Sequence, residues 1–346
     1  MRQDAPRRAC ARAPVRVDFA GGWSDVPVFA DAEGGVVTNA AIDRYVHVDA
    51  IQGGGGIRLV AEDLAQRVVA RRPSELTYDG RLDLHKAAVN MLPVTGGLEL
   101  LTRSDVPAGS GLGASGALDV ALVAALARLR REAFDPHELA ELGFHLETAE
   151  LRLDGGRQDQ YAAALGGVHS LTFSEKGVVA SAIALDPQAL ADLASVLVIA
   201  YTGQSHFSAQ THQRVWTAYA EGRSDVVDAL RAIRDLGTAA AAAIGAGDWR
   251  RLAAVVDANW IEQQRLDATI ATPAVRTVEA AARAAGAWGV KAAGAGAGGC
   301  ILILAPPERR VTIVRAVTAV QAVVLEAGID LQGVTTWDED APDAGP

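Results

Sequence analysis

The hydrophobic pattern changes its period partway along the chain. Val15–Phe19 alternates apolar and charged residues, the period-2 pattern of a half-buried strand. The β-branched stretch Val36–Ile51 and the segment Leu98–Arg103 continue this strand-like part. From Leu112 to Leu129, leucines recur at spacings of three and four, which predicts a helix with one apolar face.

Further elements follow from caps and composition. Asp135 before Pro136 is a suitable N-cap for a helix that runs to Leu153, and a strand pair is expected at Gly166–Phe173 and Gly177–Ile183. The second half predicts a buried strand, four alanine-rich helices, a long apolar segment, a helix and a last strand: Ser195–Tyr201, Ser208–Gly222, Asp225–Ile244, Trp249–Ala268, Ala274–Gly286, Val290–Leu304, Glu308–Ala327 and Gly333–Trp337.

The order of these elements indicates the fold class. Strands followed by helices, rather than strict alternation, favour an α+β fold over a doubly wound sheet. The length of 346 residues predicts two domains. A boundary near Leu185–Asp192 gives an N-terminal domain over residues 1–190 and a C-terminal domain over residues 191–346.

Composition narrows the functional classes. The formal net charge is −10, so the chain lacks the basic surface that binding to nucleic-acid phosphates requires. No apolar stretch is long enough for a membrane span, and no apolar segment follows the N-terminal arginines as in a secretory signal, so we expect a cytoplasmic protein. Cys10 and Cys300 lack metal-ligand spacing, and the acidic end Trp337–Asp343 is expected to be solvated.

A glycine-rich segment precedes the strongest predicted helix. In Asp105–Ala117, the residues Gly109, Gly111 and Gly113 allow the backbone to come close to a ligand, and the helix start offers unpaired N–H groups to a phosphate. Ser115 adds a hydroxyl for phosphate or a metal ion. A tight turn required only for packing is the alternative.

The two common nucleotide motifs do not fit this segment. No lysine follows the glycines, as a P-loop would require. The spacing Gly-x-Gly-x-Gly also differs from a dinucleotide fingerprint, and no suitable acidic partner for a ribose follows.

A second segment, Gly155–Tyr161, follows a helix that bears Glu147 and Glu150. Asp159 lies just past the glycine turn, and an acid from the preceding helix would complete a base-plus-metal pair, because Mg²⁺ is bound by one or two carboxylates. Either glutamate satisfies this spacing. Asp159 as a simple turn or cap residue is the alternative.

A third segment, Lys291–Cys300, contains only glycine and alanine between its ends. Such a composition marks a place where backbones pack closely. Two interpretations stay open: the segment lines the phosphate site, or it only crosses the first glycine-rich segment.

Taken in this order, with the strand motif Ala13-Pro-Val-Arg16 ahead of them, these segments resemble the GHMP kinases. Pro107–Ala117 is similar to the second motif of that family, with Ala114 and Gly116 as departures, and Lys291–Gly299 to the third. The resemblance implies a ribosomal-S5-like N-terminal domain, a ferredoxin-like C-terminal domain and an active site in the cleft between them.

Within the family, two branches of sugar 1-kinases are similar. Asp25-Val-Pro, Ile42–Val48, Gly156–Ala163 and Tyr201-Thr-Gly resemble D-glycero-D-manno-heptose 7-phosphate kinases, and Gly21–Asp25 resembles L-fucokinases. The resemblance therefore implies an ATP- and Mg²⁺-dependent kinase acting on the anomeric hydroxyl of a small sugar or sugar phosphate, with the heptose 7-phosphate as the first candidate. It is compatible with a homodimer. His206 stands where a basic residue would meet the sugar 7-phosphate.

The resemblance also implies roles for individual residues. Asp159 would be the catalytic base, and Arg16 would stabilise charge on the transferring phosphate. Ser115 and Glu147 would bind the metal. The ATP-binding residues would be Pro107, Gly109, Ser110, Gly111, Leu112, Gly113, Ala114 and Ser115, and the substrate-binding residues Trp23, Ser24, Asp25, Gln158, Tyr201 and Gly296.

Three other functions fit the sequence less well than a sugar kinase does. Some proteins with this fold are sugar sensors without catalysis, but the chain retains Arg16, Ser115 and Asp159. A diphosphomevalonate decarboxylase would not need the sugar-type segments around Asp25 and Gln158. A dinucleotide-dependent oxidoreductase lacks its acidic ribose partner.

Overall fold

The computed structural model of the protein describes residues 7–153, 155–204 and 209–340. Three predicted features fall outside these ranges: His206, Ser208 at the start of a predicted helix, and residues 341–343 of the acidic end. Within them, no helix is both long and apolar enough to cross a membrane.

Strands and helices are numbered in chain order. The strands are β1 Arg7–Ala20, β2 Gly35–Gln52, β3 Ile57–Ala61, β4 Gln66–Ala70, β5 Leu98–Ser104, β6 Val168–Ser174, β7 Gly177–Ala182, β8 Leu197–Tyr201, β9 Gly289–Ala292, β10 Cys300–Leu304, β11 Val323–Leu325 and β12 Thr335–Asp340. The helices are α1 Pro27–Glu33, α2 Asp83–Met91, α3 Ala114–Arg130, α4 Pro136–His145, α5 Gln158–Leu165, α6 Pro187–Val196, α7 Ala209–Ala220, α8 Ser224–Gly245, α9 Trp249–Leu266, α10 Pro273–Ala284 and α11 Arg310–Ala319.

The strands form two sheets, and the predicted α+β class is confirmed. The larger sheet has the order β12-β1-β2-β5-β3-β4, with β6 pairing with β2 and β7 with β6. The smaller sheet has the order β11-β8-β10-β9 and is antiparallel throughout. The predicted domain boundary near residue 190 falls inside α6, and β12, from the predicted C-terminal domain, pairs with β1 of the larger sheet.

The strongest helix prediction holds in position but differs in environment. The segment predicted over Leu112–Leu129 forms α3, and Val120, Ala121 and Leu122 on successive sides of it are all fully buried. The helix is therefore packed on nearly every side by the larger sheet and its neighbouring helices, rather than on one apolar face.

The capping prediction for α4 is confirmed. Asp135 Oδ1 accepts a hydrogen bond of 2.9 Å from the Glu138 backbone N–H, and Glu138 Oε2 accepts one of 2.8 Å from the Asp135 backbone N–H. This reciprocal pair, with Pro136 in the first turn, satisfies two donors at the helix start.

Several predicted bounds were wrong. The helix predicted to reach Leu153 ends as α4 at His145 and continues as a π-helical turn over Leu146–Glu150. The strand predicted from Ser195 begins at Leu197, because α6 continues to Val196. The helix predicted to reach Ala327 ends at Ala319, where the chain turns into the edge strand β11.

The pattern also missed α1, α2, α5, α6, β3 and β4, all of which are short. At the acidic end, Trp337–Glu339 are exposed to solvent as expected, but they are part of a regular strand. These residues belong to β12, where Asp338 and Glu339 form ion pairs with Arg128 and Arg8.

A glycine in α8 sets the distance between that helix and the larger sheet. A Cβ at Gly237 would lie 2.2 Å from the Val36 carbonyl oxygen, and the Thr38 hydroxyl donates a hydrogen bond of 2.8 Å to the Gly237 carbonyl. The helix can pack this closely against β2 only because residue 237 has no side chain.

We therefore predict that Gly237→Ala lowers the free energy of unfolding by about 1–2 kcal/mol, because overlap with the Val36 carbonyl outweighs the higher helix propensity of alanine. Gly245→Ala is the matched control at the end of the same helix, where the nearest atom to a Cβ is 4.0 Å away. It should leave stability equal or higher. Urea unfolding of both variants measures the difference, and equal midpoints would contradict the close packing.

Candidate active site

One cleft of about 720 Å³ collects residues from distant parts of the chain. Its wall is formed by the end of β1, the turn after it, the loop before α3, the segment before α5, the start of α7 and the loop between β9 and β10. Most predicted site residues line it, namely Arg16, Trp23, Asp25, Gly109, Ser110, Gly111, Gly113, Ala114, Ser115, Glu147, Gln158, Asp159 and Gly296.

Two predicted substrate-binding residues are not among the described residues that line this cleft. Ser24 is fully buried, where its hydroxyl donates to the Gly21 carbonyl over 2.7 Å and accepts from the Val36 N–H over 3.1 Å. Tyr201 ends β8 and pairs with Cys300 in the neighbouring strand. Ser24 thus holds the turn that carries its neighbours, rather than facing the cleft.

Two predicted ATP-binding residues also stand behind the cleft wall. The Leu112 side chain is fully buried, and its carbonyl accepts a hydrogen bond of 2.8 Å from the Arg16 N–H. The Pro107 carbonyl accepts one of 3.1 Å from the Ser110 N–H. Both residues therefore shape the loop through their backbones.

The loop before α3 has the conformation that its glycines allow. Gly109, Gly111 and Gly113 have φ values of 70°, 77° and 75°, in the left-handed region that other residues rarely adopt. The loop runs directly into α3 at Ala114, so its wall of the cleft carries helix N–H groups and the positive end of the helix dipole. This part of the cleft suits an anion.

The third glycine-rich segment crosses the first one and also lines the cleft. A Cβ at Gly111 would lie 2.6 Å from the Ala293 carbonyl oxygen, and one at Gly294 would lie 2.9 Å from the Gly111 carbonyl oxygen. The two glycine-rich segments therefore cross in direct backbone contact. Gly294, Ala295 and Gly296 also line the cleft beside that crossing.

Arg16 and Asp159 form an ion pair at the centre of the cleft. Arg16 Nε and NH2 lie 2.8 and 2.7 Å from Asp159 Oδ1, and Arg16 NH1 donates to the Gly111 carbonyl over 2.6 Å. The arginine is only 4% exposed. It thus joins the first turn of α5, which carries Asp159, to the loop before α3.

Gly116 explains how Asp159 reaches this position. A Cβ at Gly116 would lie 2.6 Å from the Asp159 Cβ and 3.0 Å from the Gln160 N atom. The departure from the family motif at this position therefore lets α5 pack directly on the start of α3. As a result, Ser115 and Asp159 face the same cleft.

A buried ion pair that the sequence did not predict supports the arginine. Asp18 accepts hydrogen bonds from the Lys291 ammonium and, over 3.2 Å, from the Gly294 N–H. Burial lowers the pKa of Lys291, although the Asp18 charge opposes this. The alternation of β1 places Asp18 on the same face as Arg16, but nothing in the sequence identifies its partner.

An acidic cluster lies beside Ser115. Glu147 Oε2 accepts a hydrogen bond of 3.0 Å from Gln160 Nε2, and Ser115 also hydrogen-bonds to Glu147. Burial and the charge of Asp159 raise the pKa of Glu147. Asp119, one turn after Ser115, is fully buried, and burial together with Glu147 raises its pKa well above the usual range.

This cluster fits a hard cation. Crowded, desolvated carboxylates are stabilised by a positive ion, and Ser115 and Glu147 supply the oxygen ligands that Mg²⁺ prefers. Among the described residues, no group of three or more acidic, histidine or cysteine side chains could hold a metal alone, so phosphate and water would complete its shell. Glu150 points elsewhere and accepts a hydrogen bond of 2.8 Å from the Tyr78 hydroxyl.

Asp25 is the second carboxyl at the centre of the cleft. It is 3% exposed and accepts hydrogen bonds from the Gln158 N–H and side-chain amide, over 3.1 and 3.3 Å. Burial and the nearby Asp159 charge raise its pKa to about 6. A Cβ at Gly156 would lie 1.9 Å from Asp25 Oδ2, so glycine is required there.

Sequence reasoning also missed the contribution of α7. His212 and Gln213, in its first turns, line the cleft, and the His212 ring stacks on Trp23 at 4.4 Å between ring centroids. No glycine pattern or charged spacing marks these residues, so no local signal could have found them.

The raised pKa of Asp25 predicts how stability depends on pH. The folded state holds the Asp25 proton more tightly than the unfolded chain, so this group favours folding most below pH 3.8 and loses that contribution as pH rises to about 6. Asparagine at this position does not titrate. Between pH 4 and pH 7, we therefore expect the free energy of unfolding of the parent to fall by roughly 2–3 kcal/mol more than that of Asp25→Asn.

Urea unfolding at both pH values measures this difference. Asp31→Asn, at an exposed position of α1, is the control and should follow the parent. Parallel pH dependences of Asp25→Asn and the parent would show that Asp25 is not strained as a carboxylate.

Two segments of the chain match models of known protein domains. Residues 82–167 match the model of the GHMP kinases N-terminal domain, and residues 240–322 match that of the GHMP kinases C-terminal domain. The first match contains the loop before α3 and Asp159, and the second contains the third glycine-rich segment.

Curated relatives are kinases. The chain is 27% identical over 335 residues to D-glycero-alpha-D-manno-heptose 7-phosphate kinase of Campylobacter jejuni, which covers 94% of this chain and 98% of that protein. It is 28% identical over 328 residues to the bifunctional fucokinase/GDP-fucose pyrophosphorylase of Arabidopsis thaliana. That match covers 87% of this chain but only 30% of the longer plant protein.

Solved structures agree with the fold. A D-glycero-D-manno-heptose 1-phosphate kinase from Bacteroides thetaiotaomicron superposes with a TM-score of 0.79 at 25% identity, over 95% of this chain and 98% of that one. The galactokinase of Lactococcus lactis shares the fold, with a TM-score of 0.74 at 20% identity over 95% of both chains. The resemblance drawn from the motifs is thereby confirmed, and the chain belongs to the GHMP kinase family as an enzyme with both of its characteristic domains.

Proposed function

We propose that the protein transfers the γ-phosphate of ATP to the anomeric hydroxyl of a sugar, with D-glycero-D-manno-heptose 7-phosphate as the first candidate acceptor. The observation that carries this proposal is the Arg16–Asp159 pair, which joins the glycine-rich loop to the segment bearing Gln158. Use of ATP follows from membership of the kinase family.

The donor end is the loop before α3. Backbone N–H groups of the Gly109–Gly113 loop and the first turn of α3 would bind the phosphates, as the positive φ values and the helix start favour. No P-loop lysine follows this loop, but Arg16 contacts it through the Gly111 carbonyl and would supply positive charge at this end of the cleft. Arg16 would compensate charge that develops on the transferring group.

Asp159 is the proposed general base. Both close contacts from Arg16 reach Asp159 Oδ1, so the proton of the acceptor hydroxyl would pass to Oδ2. Arg16 fixes the carboxylate in place, and Asp25 with Gln158 would bind the neighbouring hydroxyls of the sugar. Phosphoryl transfer depends mainly on positioning and charge compensation of this kind.

Ser115 and Glu147 are the proposed ligands of Mg²⁺. A bound magnesium ion would neutralise phosphate charge and help to orient the transferring group. Gln160 holds the Glu147 carboxylate over 3.0 Å and so fixes it toward the phosphate end of the cleft.

An enzyme that consumes ATP and acts on a small sugar is expected in the cytoplasm.

The relatives support two acceptors. The heptose 7-phosphate kinase of Campylobacter jejuni aligns over nearly the whole of both chains, which favours a heptose. The fucokinase match favours a free sugar of the L-fucose type. A sensor without catalysis is disfavoured, because Arg16, Ser115 and Asp159 are brought together in one cleft.

A substrate screen tests the proposal. ADP release should be measured with the heptose 7-phosphate, L-fucose, galactose and mevalonate, and ³¹P NMR should identify the phosphorylated position. We expect Asp159→Asn to lower kcat by roughly 10²–10⁴-fold while nucleotide binding is kept, because the general base is lost. Near-normal turnover by this variant would remove Asp159 from the base role, and transfer to a non-anomeric hydroxyl would overturn the proposed position.

The metal site is tested separately. Ser115→Ala and Glu147→Gln should each raise the half-saturating Mg²⁺ concentration by roughly tenfold, equivalent to about 1.4 kcal/mol for a lost ligand. Mn²⁺ binding followed by electron paramagnetic resonance, with a non-hydrolysable ATP analogue present, gives a readout independent of turnover. Glu150→Gln is the control and should bind Mn²⁺ like the parent, since Glu150 bonds to Tyr78 instead.

A further inference from the structure

The wall of the cleft next to Asp25 includes one helix that no motif covers. His212 and Gln213 enter the cleft from α7, together with Trp23 from the turn after β1. We infer that His212 and Gln213 recognise the acceptor sugar, with the Trp23–His212 stack as the surface against which one face of the sugar ring lies. The inference rests on the proposed function, because it takes the acceptor to be a sugar.

Trp23 is held in an unusual conformation. Its φ is 83°, although it is a bulky residue and only 5% exposed. Such a backbone costs on the order of 1–3 kcal/mol and persists only where the surroundings fix it, most often at functional sites. This backbone conformation fixes the orientation of the Trp23 indole, two positions before Asp25.

The packing of α7 fixes that orientation. The His212 ring lies 4.4 Å from the Trp23 ring at an interplanar angle of 26°, and the Trp216 ring lies 5.7 Å from it at 57°. Trp216 is itself buried, one helical turn after His212. Two residues on one face of α7 thus clamp the indole, and His212 is the one that also reaches the cleft.

This aromatic wall adjoins the proposed hydroxyl-binding groups. Gly22, the neighbour of Trp23, would place a Cβ 3.4 Å from Gln158 Nε2, and Gln158 donates to Asp25. If the reacting hydroxyl of the acceptor lies at Asp159, the next hydroxyls of the sugar would lie beside Asp25 and Gln158. The wall formed by Trp23 and α7 would then contact the rest of the sugar.

The chemistry of the wall suits a neutral sugar face. Aromatic rings pack against the C–H face of a sugar ring, and imidazole and amide groups bind hydroxyls as donors or acceptors. Among the described residues that line the cleft, the arginines are Arg16 and Arg152, and neither belongs to α7. Because α7 contributes an imidazole and an amide instead, its side chains would select hydroxyls and the shape of the sugar ring.

Substitutions in α7 test this inference. His212→Ala and Gln213→Ala should raise the KM for the acceptor at least tenfold and change the KM for ATP less than twofold. Thr217→Ala, at an exposed position one turn further along α7, is the matched control and should behave as the parent. Tryptophan fluorescence, titrated in the absence of ATP with D-glycero-D-manno-heptose 7-phosphate and with L-fucose, should show weaker binding in the first two variants.

His212→Phe separates recognition from packing. Phenylalanine keeps the stack on Trp23 and so should keep thermal stability, but it cannot bind a hydroxyl, so the acceptor KM should still rise several-fold. Full recovery of the parent KM by His212→Phe, or unchanged acceptor binding in His212→Ala and Gln213→Ala, would overturn the inference. If the parent phosphorylates no sugar at all, the proposed function fails instead.

Discussion

The site depends on backbone crossing backbone. The loop before α3 and the segment after β9 touch where a single methyl group on Gly111 or Gly294 would overlap a carbonyl oxygen. Because the first segment follows β5 of the larger sheet and the second follows β9 of the smaller one, their contact brings the two sheets together around one cleft. The carboxylates, the arginine and the aromatic wall then lie within reach of one small molecule. Without this crossing, each would be an isolated feature of its own element.

Charge is arranged around the crossing in buried, paired form. Arg16 faces Asp159, and Lys291 faces Asp18, and both cations are almost fully buried. Breaking such a pair leaves an uncompensated buried charge, so the pairs hold β1, α5 and β9 in a fixed relation. The remaining acids, Asp25 among them, are crowded and carry raised pKa values. The cleft therefore has an excess of negative groups that a cation and a polar acceptor would relieve.

The sequence identified the parts of this site that local chemistry determines. Glycines with positive φ before a helix, and the Asp135 cap of α4, follow from rules that act within a few residues, and both lie where they were predicted. Contacts between distant segments could not be deduced in this way. The partner of Asp18, the π-helical turn that carries Glu147 and the entry of α7 into the cleft depend on tertiary packing, which leaves no periodic trace in the sequence.

The pairing of β12 with β1 determines when one edge of β1 can become paired during synthesis. Arg12 of the strand that bears Arg16 and its partner Thr335 lie 323 residues apart in sequence, so this edge of β1 stays open during synthesis until β12 emerges. At roughly 5–20 residues per second, that interval lasts tens of seconds. An open strand edge can pair with other chains, so β1 is exposed to such pairing during that time. The strand that bears Arg16 thus gains its first neighbour, β2, soon after it is made and its second, β12, much later.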